Sequence, residues 1–361
     1  MPRATIQDVA KFAKLSVSTV NRALHEPDKV REDTIRIVLE AAEAVGFYGV
    51  SSIKDSLRST RPKMRVGVLL LQRNRAFYRN LSQAIETAAK AVRDHEIQLR
   101  IEYLDELSPQ NVATGLNALA ETSDILGVVA VEHPIVAGAI EALAERNIKT
   151  FALVSQLTAR CNVGYVGLDA WKVGRTAGWA FDTICKSPGK IGVLVGNHRY
   201  RCQETNESGF RSYFREHPRG FELLEAESTF ETGSIAREVT ERMLERHPDL
   251  AGLFVSGGGI SGAAAALRES GRAKEIVTVA YDLTDVTRAG LLDGTINVLI
   301  SHPLLTLAHE AIAAMIRAFD GGPDFPPQSI ALPFDIYTPE KSGRSTSEAE
   351  VKRATRVVAV S

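Results

Sequence analysis

Hydrophobic positions change their spacing along the chain. In the first 50 residues they recur at intervals of three and four, which predicts helices that begin after Thr5, after Ser16 and near Glu32. From Met64 onward, apolar runs of strand length alternate with amphipathic stretches of helix length. Such alternation is typical of parallel, doubly wound α/β sheets. The chain is therefore predicted to carry a small helical part followed by a larger α/β part.

The α/β part is predicted to contain ten strands, too many for one comfortable open sheet, so we expect two lobes. The strands are predicted at 65–71, 98–103, 126–131, 150–154, 165–168, 191–195, 221–226, 252–255, 276–280 and 296–300. Helices between them include 81–94, 111–121, 135–146, 171–185, 235–246, 262–270 and 303–319. Ligands of such sheets bind beyond the carboxyl ends of the strands, so two facing lobes place the ligand in the cleft between them.

The first two helices are separated by the turn Lys14-Leu15-Ser16 and are followed by a third helix that ends at Gly46. Two short helices with a tight turn and a bracing helix describe a helix-turn-helix module, which places its second helix in the major groove of DNA. Thr5 is predicted to cap the first helix. The alternative is a small three-helix bundle whose polar face is simply solvated.

The second helix carries residue types that suit groove reading. Ser16 and Ser18 lie at its amino terminus, where hydroxyl and backbone N–H groups can contact phosphate. Arg22 follows Ser18 by one turn and can donate to guanine O6 and N7, and Asn21 can pair with adenine or a phosphate. These residues predict DNA contacts along one face of the helix.

Charge and composition limit the function classes. The chain has 43 Lys or Arg and 44 Asp or Glu residues, which excludes a polycation and a disordered charged chain. Residues 1–61 have a net charge of +2 against −3 for the rest, too small a difference to indicate nucleic acid alone. Cys161, Cys185 and Cys202 are far apart, so neither a disulfide framework nor a metal site is expected. No secretory signal or membrane-spanning stretch is recognised, and we expect a soluble cytoplasmic protein.

The run from Thr5 to Leu24 resembles the headpiece of the lactose-repressor (LacI) family, whose motif reads T-x-x-D-V-A-x-x-A-G-V-S-x-x-T-V-S-R-x-L. Lys14 stands where the family has the turn glycine, so a residue with a Cβ is expected in the left-handed region. Asn21 replaces a serine, and Val17 and Ser18 occupy the positions that vary with operator preference, with Val17 facing a thymine methyl. The resemblance implies DNA contacts by Thr5, Ser16, Val17, Ser18, Thr19, Asn21, Arg22 and Leu57.

Leu57 belongs to a segment, residues 47–58, that resembles the family's hinge helix. The family's leucine at this place wedges into the minor groove and kinks the duplex. A helix this short is marginal alone, so its order is expected to require DNA and a partner hinge. The predicted domains are a headpiece at 1–50, a hinge and linker at 51–63, a two-lobed sensor at 64–340 and a flexible tail at 341–361.

Residues 64–340 resemble the type I periplasmic-binding-protein fold that forms the sensor of the same family. The resemblance rests on five motifs: Asn74-Arg-Ala-Phe-Tyr, Val166-Gly-Leu-Asp followed by Gly174-Arg175, Ala280-Tyr-Asp, His302-Pro303, and Leu332-Pro333, which is expected to begin the final strand. It implies a pocket formed by Asn74, Phe77, Tyr78, His133, Asp169, Arg199, Glu204, Asn206, Gly257, Asp282 and His302.

The residue types in this pocket suit a carbohydrate. Phe77 and Tyr78 can stack on the apolar face of a sugar ring. Asp169 and Asp282 can each accept hydrogen bonds from two hydroxyl groups. The alternative for each aspartate is a helix N-cap after a strand.

Two departures from the family pattern concern the effector. Asn206 stands where the family has an arginine that grips sugar hydroxyls, and Arg199, Arg201 or Glu204 are candidates to replace it. Gly257-Gly258 replaces an Asn-Asp pair, which is expected to widen the site and to favour a disaccharide or glycoside.

Two other function classes compete with this interpretation. The run from Gly257 to Gly262 satisfies G-x-G-x-x-G after a strand, which would suit an NAD-dependent enzyme. No catalytic constellation accompanies it. A periplasmic sugar carrier is disfavoured by the helix-turn-helix. The sequence therefore predicts a repressor and not an enzyme: a homodimer without cofactor that binds a pseudo-palindromic operator and a mono- or disaccharide or glycoside effector, with no membrane partner.

Overall fold

The computed structural model describes residues 4–26, 29–50 and 61–342. They form two compact units that divide at residue 64, except that residues 91–98 belong with the first. We call the first the helical unit and the second the α/β unit. The predicted boundaries at 51–63 and 341–361 fall largely outside the described residues and stay predictions.

The helical unit contains α1 (Ile6–Ala13), α2 (Val17–His25) and α3 (Glu32–Val45). Thr5 caps α1 as predicted, in a reciprocal capping box with Asp8: Thr5 Oγ1 accepts from the Asp8 N–H at 3.4 Å, and Asp8 Oδ2 accepts from the Thr5 N–H at 2.8 Å. Ser16 caps α2 by accepting the Thr19 N–H at 3.1 Å. Side-chain caps thus define where both short helices begin.

The turn between α1 and α2 has the expected left-handed residue. Lys14 has φ 56° and its N–H reaches the last carbonyls of α1. Gly46 ends α3 with φ 70°, as a C′ glycine does. The Cβ of Lys14 makes its conformation costly, whereas a glycine adopts it freely.

Lys14→Gly is therefore expected to stabilise the helical unit. Relief of the left-handed Cβ penalty outweighs the greater freedom of glycine in the unfolded chain by roughly 0.5–1 kcal/mol. Amide hydrogen exchange of α1 and α2 in the full chain should slow accordingly. Lys11→Gly, an exposed change inside α1, is the control and should cost about 1 kcal/mol. Faster exchange in Lys14→Gly would show that the Lys14 side chain stabilises the turn.

The three helices bury one apolar core and leave the polar face of α2 outside. Val9, Val20, Ile35 and Val38 are fully buried in that core. Val17, at the start of α2, is 43% exposed. The packing of the helical unit therefore does not use the face that the sequence assigns to DNA.

The α/β unit contains two sheets of six strands each. The strands are β1 (Lys63–Leu71), β2 (Glu96–Leu104), β3 (Ile125–Val128), β4 (Lys149–Leu153), β5 (Gly164–Leu168), β6 (Lys190–Val195), β7 (Glu222–Ser228), β8 (Leu250–Val255), β9 (Val277–Tyr281), β10 (Val298–Ser301), β11 (Ser329–Leu332) and β12 (Asp335–Tyr337). The first sheet has the order β11-β5-β4-β3-β1-β2 and the second β12-β10-β9-β8-β6-β7. β12 runs antiparallel to β10, whereas β1 and β3 are one example of the parallel pairs.

Helices follow the parallel strands, as the alternating pattern predicted. They are α4 (Ala76–Ala91), α5 (Pro109–Ala120), α6 (Pro134–Glu145), α7 (Ala170–Ile184), α8 (Arg201–Glu216), α9 (Gly233–Arg246), α10 (Ile260–Glu269), α11 (Asp285–Asp293) and α12 (Leu304–Asp320). Helices α4, α5, α6 and α12 belong with the first sheet and form the first lobe, and α7 to α11 form the second lobe with the other sheet. All ten predicted strands are present, and the two-lobed α/β prediction is confirmed.

The chain crosses between the lobes three times. The crossings lie after β5 at Asp169, after β10 at His302, and between β11 and β12 at Pro333. The prediction that Leu332 begins the final strand was wrong. Leu332 ends β11, where it pairs with Leu168, and Pro333 has no N–H to continue the ladder, so the chain leaves the sheet there.

Candidate functional site

The predicted DNA-contacting residues of α2 lie on its exposed face. Ser16 Oγ is 2.9 Å from Ser18 Oγ and 2.8 Å from Thr19 Oγ1, so these hydroxyls form one cluster at the helix amino terminus. Arg22 Nε donates to the Ser18 carbonyl at 3.5 Å, and Asn21 is exposed beside it. Thr5 is exposed but its hydroxyl donates to Asp8 Oδ2 at 2.7 Å. Leu57 lies outside the described residues. These DNA contacts stay predictions.

The α/β unit has a cavity of about 600 Å³ between its lobes, a size typical of small-molecule sites. Seven of the eleven predicted pocket residues line it: Asn74, Phe77, Tyr78, Asn206, Gly257, Asp282 and His302. They come from both lobes. The three residues numbered below 80 follow β1 of the first lobe, and the other four lie in the second lobe or at the crossing after β10. The predicted strand ends therefore meet at one cleft.

Asp169 and His133 lie outside the cavity lining. Asp169 caps α7, because its Oδ1 accepts the Lys172 N–H at 3.1 Å and its Oδ2 lies 3.1 Å from Lys172 Nζ. This is the helix-cap alternative of the sequence analysis. His133 caps α6 in the same way, with Nδ1 accepting the Ile135 N–H at 3.2 Å. Both side chains are turned to backbone groups next to them in the chain.

Arg199 and Glu204 also lie outside the cavity lining. The Arg199 N–H donates to Asn197 Oδ1 at 2.9 Å, and its carbonyl accepts the Glu132 N–H at 2.8 Å from the first lobe. Glu204 lies in the first turn of α8. Arg201 does not line the cavity either, so none of the three candidates for the missing family arginine lies in the lining.

Asp282 and His302 form a pair at one end of the cavity. Asp282 has φ 57°, and its Oδ1 accepts both the His302 N–H at 3.0 Å and the His302 ring Nδ1 at 2.8 Å. The Phe77 ring lies edge-on to His302, with 5.5 Å between ring centroids. Among the described residues, no donor pairs with Asp282 Oδ2. A carboxylate oxygen and an aromatic ring thus line the same space. The carboxylate can accept a hydrogen bond from a sugar hydroxyl, and the aromatic ring can stack on the apolar face of the sugar ring.

Buried and half-buried neutral groups form the floor of the cavity between the lobes. Burial raises the pKa of Tyr78 and Tyr281 well above the ordinary tyrosine range, so both remain neutral hydroxyls. Burial likewise raises the pKa of the Cys202 thiol to about 12, and that thiol lines the cavity without being nucleophilic. Asn206 is 1% exposed and its amide lies 3.2 Å from Ser256 Oγ. We therefore assign Asn206 to the structure of the floor.

An ion pair across the cavity was not predicted from the sequence. Arg75, which precedes α4, donates through Nη1 to Glu231 Oε2 of the second lobe at 2.5 Å. Gln203 Nε2 donates to the other carboxylate oxygen, Oε1, at 2.7 Å. All three side chains line the cavity. Arg75 lies next to Asn74, but Glu231 comes 156 positions later in the chain, so no local sequence pattern shows the pairing.

The glycines after β8 do not widen the cavity, and that expectation was wrong. A Cβ on Gly258 would lie 2.1 Å from Glu231 Oε2 and 2.6 Å from Arg75 Nη1. A Cβ on Gly257 would lie 2.5 Å from Gln203 Oε1. Arg75, Glu231 and Gln203 fill the volume that side chains at Gly257 and Gly258 would take. Polar groups therefore remain at this place, but they come from other parts of the chain than the family's Asn-Asp pair.

The same contacts disfavour a dinucleotide site at the glycine run. The Glu231 carboxylate occupies the space beside Gly258 where a pyrophosphate would approach, and like charges repel there. Gly262 is explained by packing, since its Cβ would lie 1.7 Å from the Gly233 carbonyl oxygen. Within residues 4–26, 29–50 and 61–342 there is no cluster of side chains that could hold a metal ion. No helix of these ranges combines the length and apolar character needed to cross a bilayer.

Comparison with known proteins gives two family matches. Residues 66–323 match the periplasmic binding protein domain, and residues 5–49 match the lacI family of bacterial regulatory proteins. The ribose operon repressor of Halalkalibacterium halodurans is 27% identical over 263 residues, which cover 70% of this chain and 71% of that protein. The HTH-type transcriptional regulator RegA of Clostridium saccharobutylicum is 35% identical over 95 residues, 26% of this chain and 28% of that one.

Solved structures share the fold of the α/β unit. A solute binding protein of an ABC transporter from Agrobacterium vitis, bound with alpha-D-tagatopyranose, has a TM-score of 0.71 at 19% identity and covers 80% of this chain and 98% of its own. Another from Burkholderia graminis, in complex with D-arabinose, has a TM-score of 0.72 at 18% identity and covers 80% of this chain and 100% of its own. At this identity the likeness concerns the fold alone.

Proposed function

Because the chain belongs to the lacI family of bacterial regulatory proteins, with a periplasmic binding protein domain behind its helix-turn-helix, we propose that it is a sugar-responsive transcriptional repressor. It acts in the cytoplasm as a homodimer on a pseudo-palindromic operator. Its effector is a neutral mono- or disaccharide or glycoside that binds in the cleft between the lobes. Two relatives are named ribose operon repressors, which supports testing pentoses first.

One observation carries this proposal: the cleft presents the Asp282 carboxylate and the Phe77 ring to the same space. Asp282 Oδ1 is held by His302, which leaves Oδ2 to accept ligand hydroxyl groups. Arg75 uses Nη1 for Glu231, so its Nε and Nη2 can donate to ligand oxygens. Arg75, Arg79, Glu231 and Asp282 bring two positive and two negative charges to the lining, which suits an uncharged ligand.

Effector binding is coupled to DNA through the angle between the lobes. His302 lies at one of the three crossings and also bonds Asp282, so a ligand on Asp282 contacts a point about which the lobes move. A change in the interlobe angle alters the spacing of the two hinge segments in a dimer. The coupling is reciprocal: a sugar that weakens operator binding is bound more weakly by the operator complex.

A thermal-shift screen of the full chain tests the effector class. We expect at least one sugar among D-ribose, D-arabinose, D-allose, D-tagatose and a set of disaccharides and glycosides to raise the melting temperature. A ligand at 100 times its Kd stabilises by about 2.7 kcal/mol, enough for a shift of several degrees. The matching sugar phosphates and uronates are the controls and should not shift it. A shift with the charged sugars alone would overturn the proposed ligand class.

A further inference from the structure

The Arg75–Glu231 pair has features beyond those of a surface salt bridge. We propose that Arg75 and Glu231, which we call the clasp, form a positioning pair that closes the lobes on each other and so sets how tightly the cleft holds its effector. The inference deepens the proposed function and rests on it only for the identity of that effector.

The clasp joins the two lobes beside the cleft, with Arg75 on the first lobe and Glu231 on the second. Its side chains are 23% and 9% exposed, far less than a typical surface pair. Tyr78 and Tyr200 are buried close to the pair, and burial raises the pKa of both, so the neighbouring hydroxyls stay neutral. An ion pair in such surroundings is screened less than one in water. Its formation therefore favours the closed arrangement.

Glu231 is positioned at a cost in backbone energy. Phe230 and Glu231 have φ 48° and 61°, two successive residues with side chains in the left-handed region. Each such residue is strained, and strain of this kind collects at functional sites. The carboxylate is then fixed by Gln203, whose own Oε1 accepts the Gly196 and Asn197 N–H groups at 2.7 Å and 3.0 Å. A carboxylate held on this side is preorganised for the arginine of the other lobe.

Three glycines from two separate loops make room for the clasp. A Cβ on Gly196 would lie 1.6 Å from Glu231 Oε1, and the Gly258 Cβ would contact both clasp groups. Gly257 clears the amide of Gln203 in the same manner. The loops after β6 and β8 thus have glycines where they pass next to the clasp and the Gln203 amide. A purely local salt bridge would not require this.

The clasp must open for a ligand to enter and can re-form when the lobes close. Loss of the clasp shifts the lobes toward the open arrangement, because the remaining interlobe contacts stabilise the closed arrangement less than they do together with the clasp. Two amide groups report that shift without any ligand: the Glu132 N–H donates to the Arg199 carbonyl at 2.8 Å, and the Cys202 N–H donates to Ser155 Oγ at 3.3 Å. Both bonds cross from one lobe to the other.

The test is amide hydrogen exchange of the full chain without sugar, resolved to these residues by fragment-ion mass spectrometry. Arg75→Met and Glu231→Gln should each speed exchange at Glu132 and Cys202 by about tenfold, as expected for one lost charge-assisted hydrogen bond. The double variant should match the single ones, because each removes the same interaction.

Gly258→Ala breaks the clasp without removing a charge and should speed the same amides. Gly138→Ala is its matched control, since a Cβ on Gly138 meets nothing within 4 Å. Exchange at Glu132 and Cys202 that stays at the parent rate in Arg75→Met, Glu231→Gln and Gly258→Ala would overturn the clasp. No sugar is used, so this result is independent of whether the thermal-shift screen finds an effector.

Discussion

Asp282→Ala is expected to abolish the sugar response while operator binding stays intact. The carboxylate is the acceptor left for ligand hydroxyls, and it also holds His302 at the crossing through two hydrogen bonds. Bonds to a charged acceptor contribute about 1.5–3 kcal/mol each, so loss of the group should raise the sugar Kd by about 100-fold or more. Sugar titration calorimetry and operator binding by fluorescence anisotropy measure the two effects separately.

The backbone at this position calls for a second variant. Asp282 has φ 57°, which alanine adopts with strain and asparagine tolerates. Asp282→Asn therefore removes the charge with little strain and should lose the response as Asp282→Ala does. Asp285→Ala, an exposed carboxylate in the first turn of α11, is the control. A sugar response retained in Asp282→Asn would place the hydroxyl acceptor elsewhere in the cleft.

Arg22→Ala is expected to weaken operator binding by ~1–3 kcal/mol, roughly 5- to 150-fold, and to relax specificity at one base pair. Arg22 is exposed on α2, and only its Nε contacts the Ser18 carbonyl, at 3.5 Å, which leaves the Nη groups to reach a base edge. Binding curves on the operator and on single-base variants of it give the position that Arg22 reads.

Arg237→Ala controls for the change in net charge, because Arg237 is an exposed arginine of the α/β unit. It should leave operator affinity within twofold of the parent. An equal loss on operator and on random DNA for Arg22→Ala would mean that Arg22 contacts phosphate only.

Local signals predicted much of the fold. Helix α3 has the predicted bounds, Glu32 and Val45, because periodicity gives its length and Gly46 its end. The left-handed conformation of Lys14 followed from one missing glycine in a motif. The ten strands followed from apolar runs, since strands of a parallel sheet are buried on both faces. These features depend on residues close in the chain.

The cavity residues that follow a strand within a recognisable motif were predicted from the sequence. Those that meet only because distant loops fold together were not. Asp282 and His302 follow β9 and β10, and both line the cavity. Asp169 also follows a strand, but its side chain caps α7 and does not line the cavity. The sequence pattern is the same for both orientations, so it could not distinguish between them. Glu231 depends on an unusual backbone, and Gly258 is explained only by the Arg75–Glu231 pair. No periodicity or motif encodes that three-way contact.

We propose that a sugar in the cleft controls binding of DNA by the helical unit. The most direct test is the Kd of the full chain for a duplex selected from random DNA, measured with and without the sugar that raises the melting temperature. We expect selection of a pseudo-palindrome and a change in Kd of about 5- to 150-fold, the usual range of allosteric coupling. A selected duplex whose Kd is the same with saturating sugar would show that the cleft and the helical unit are not coupled.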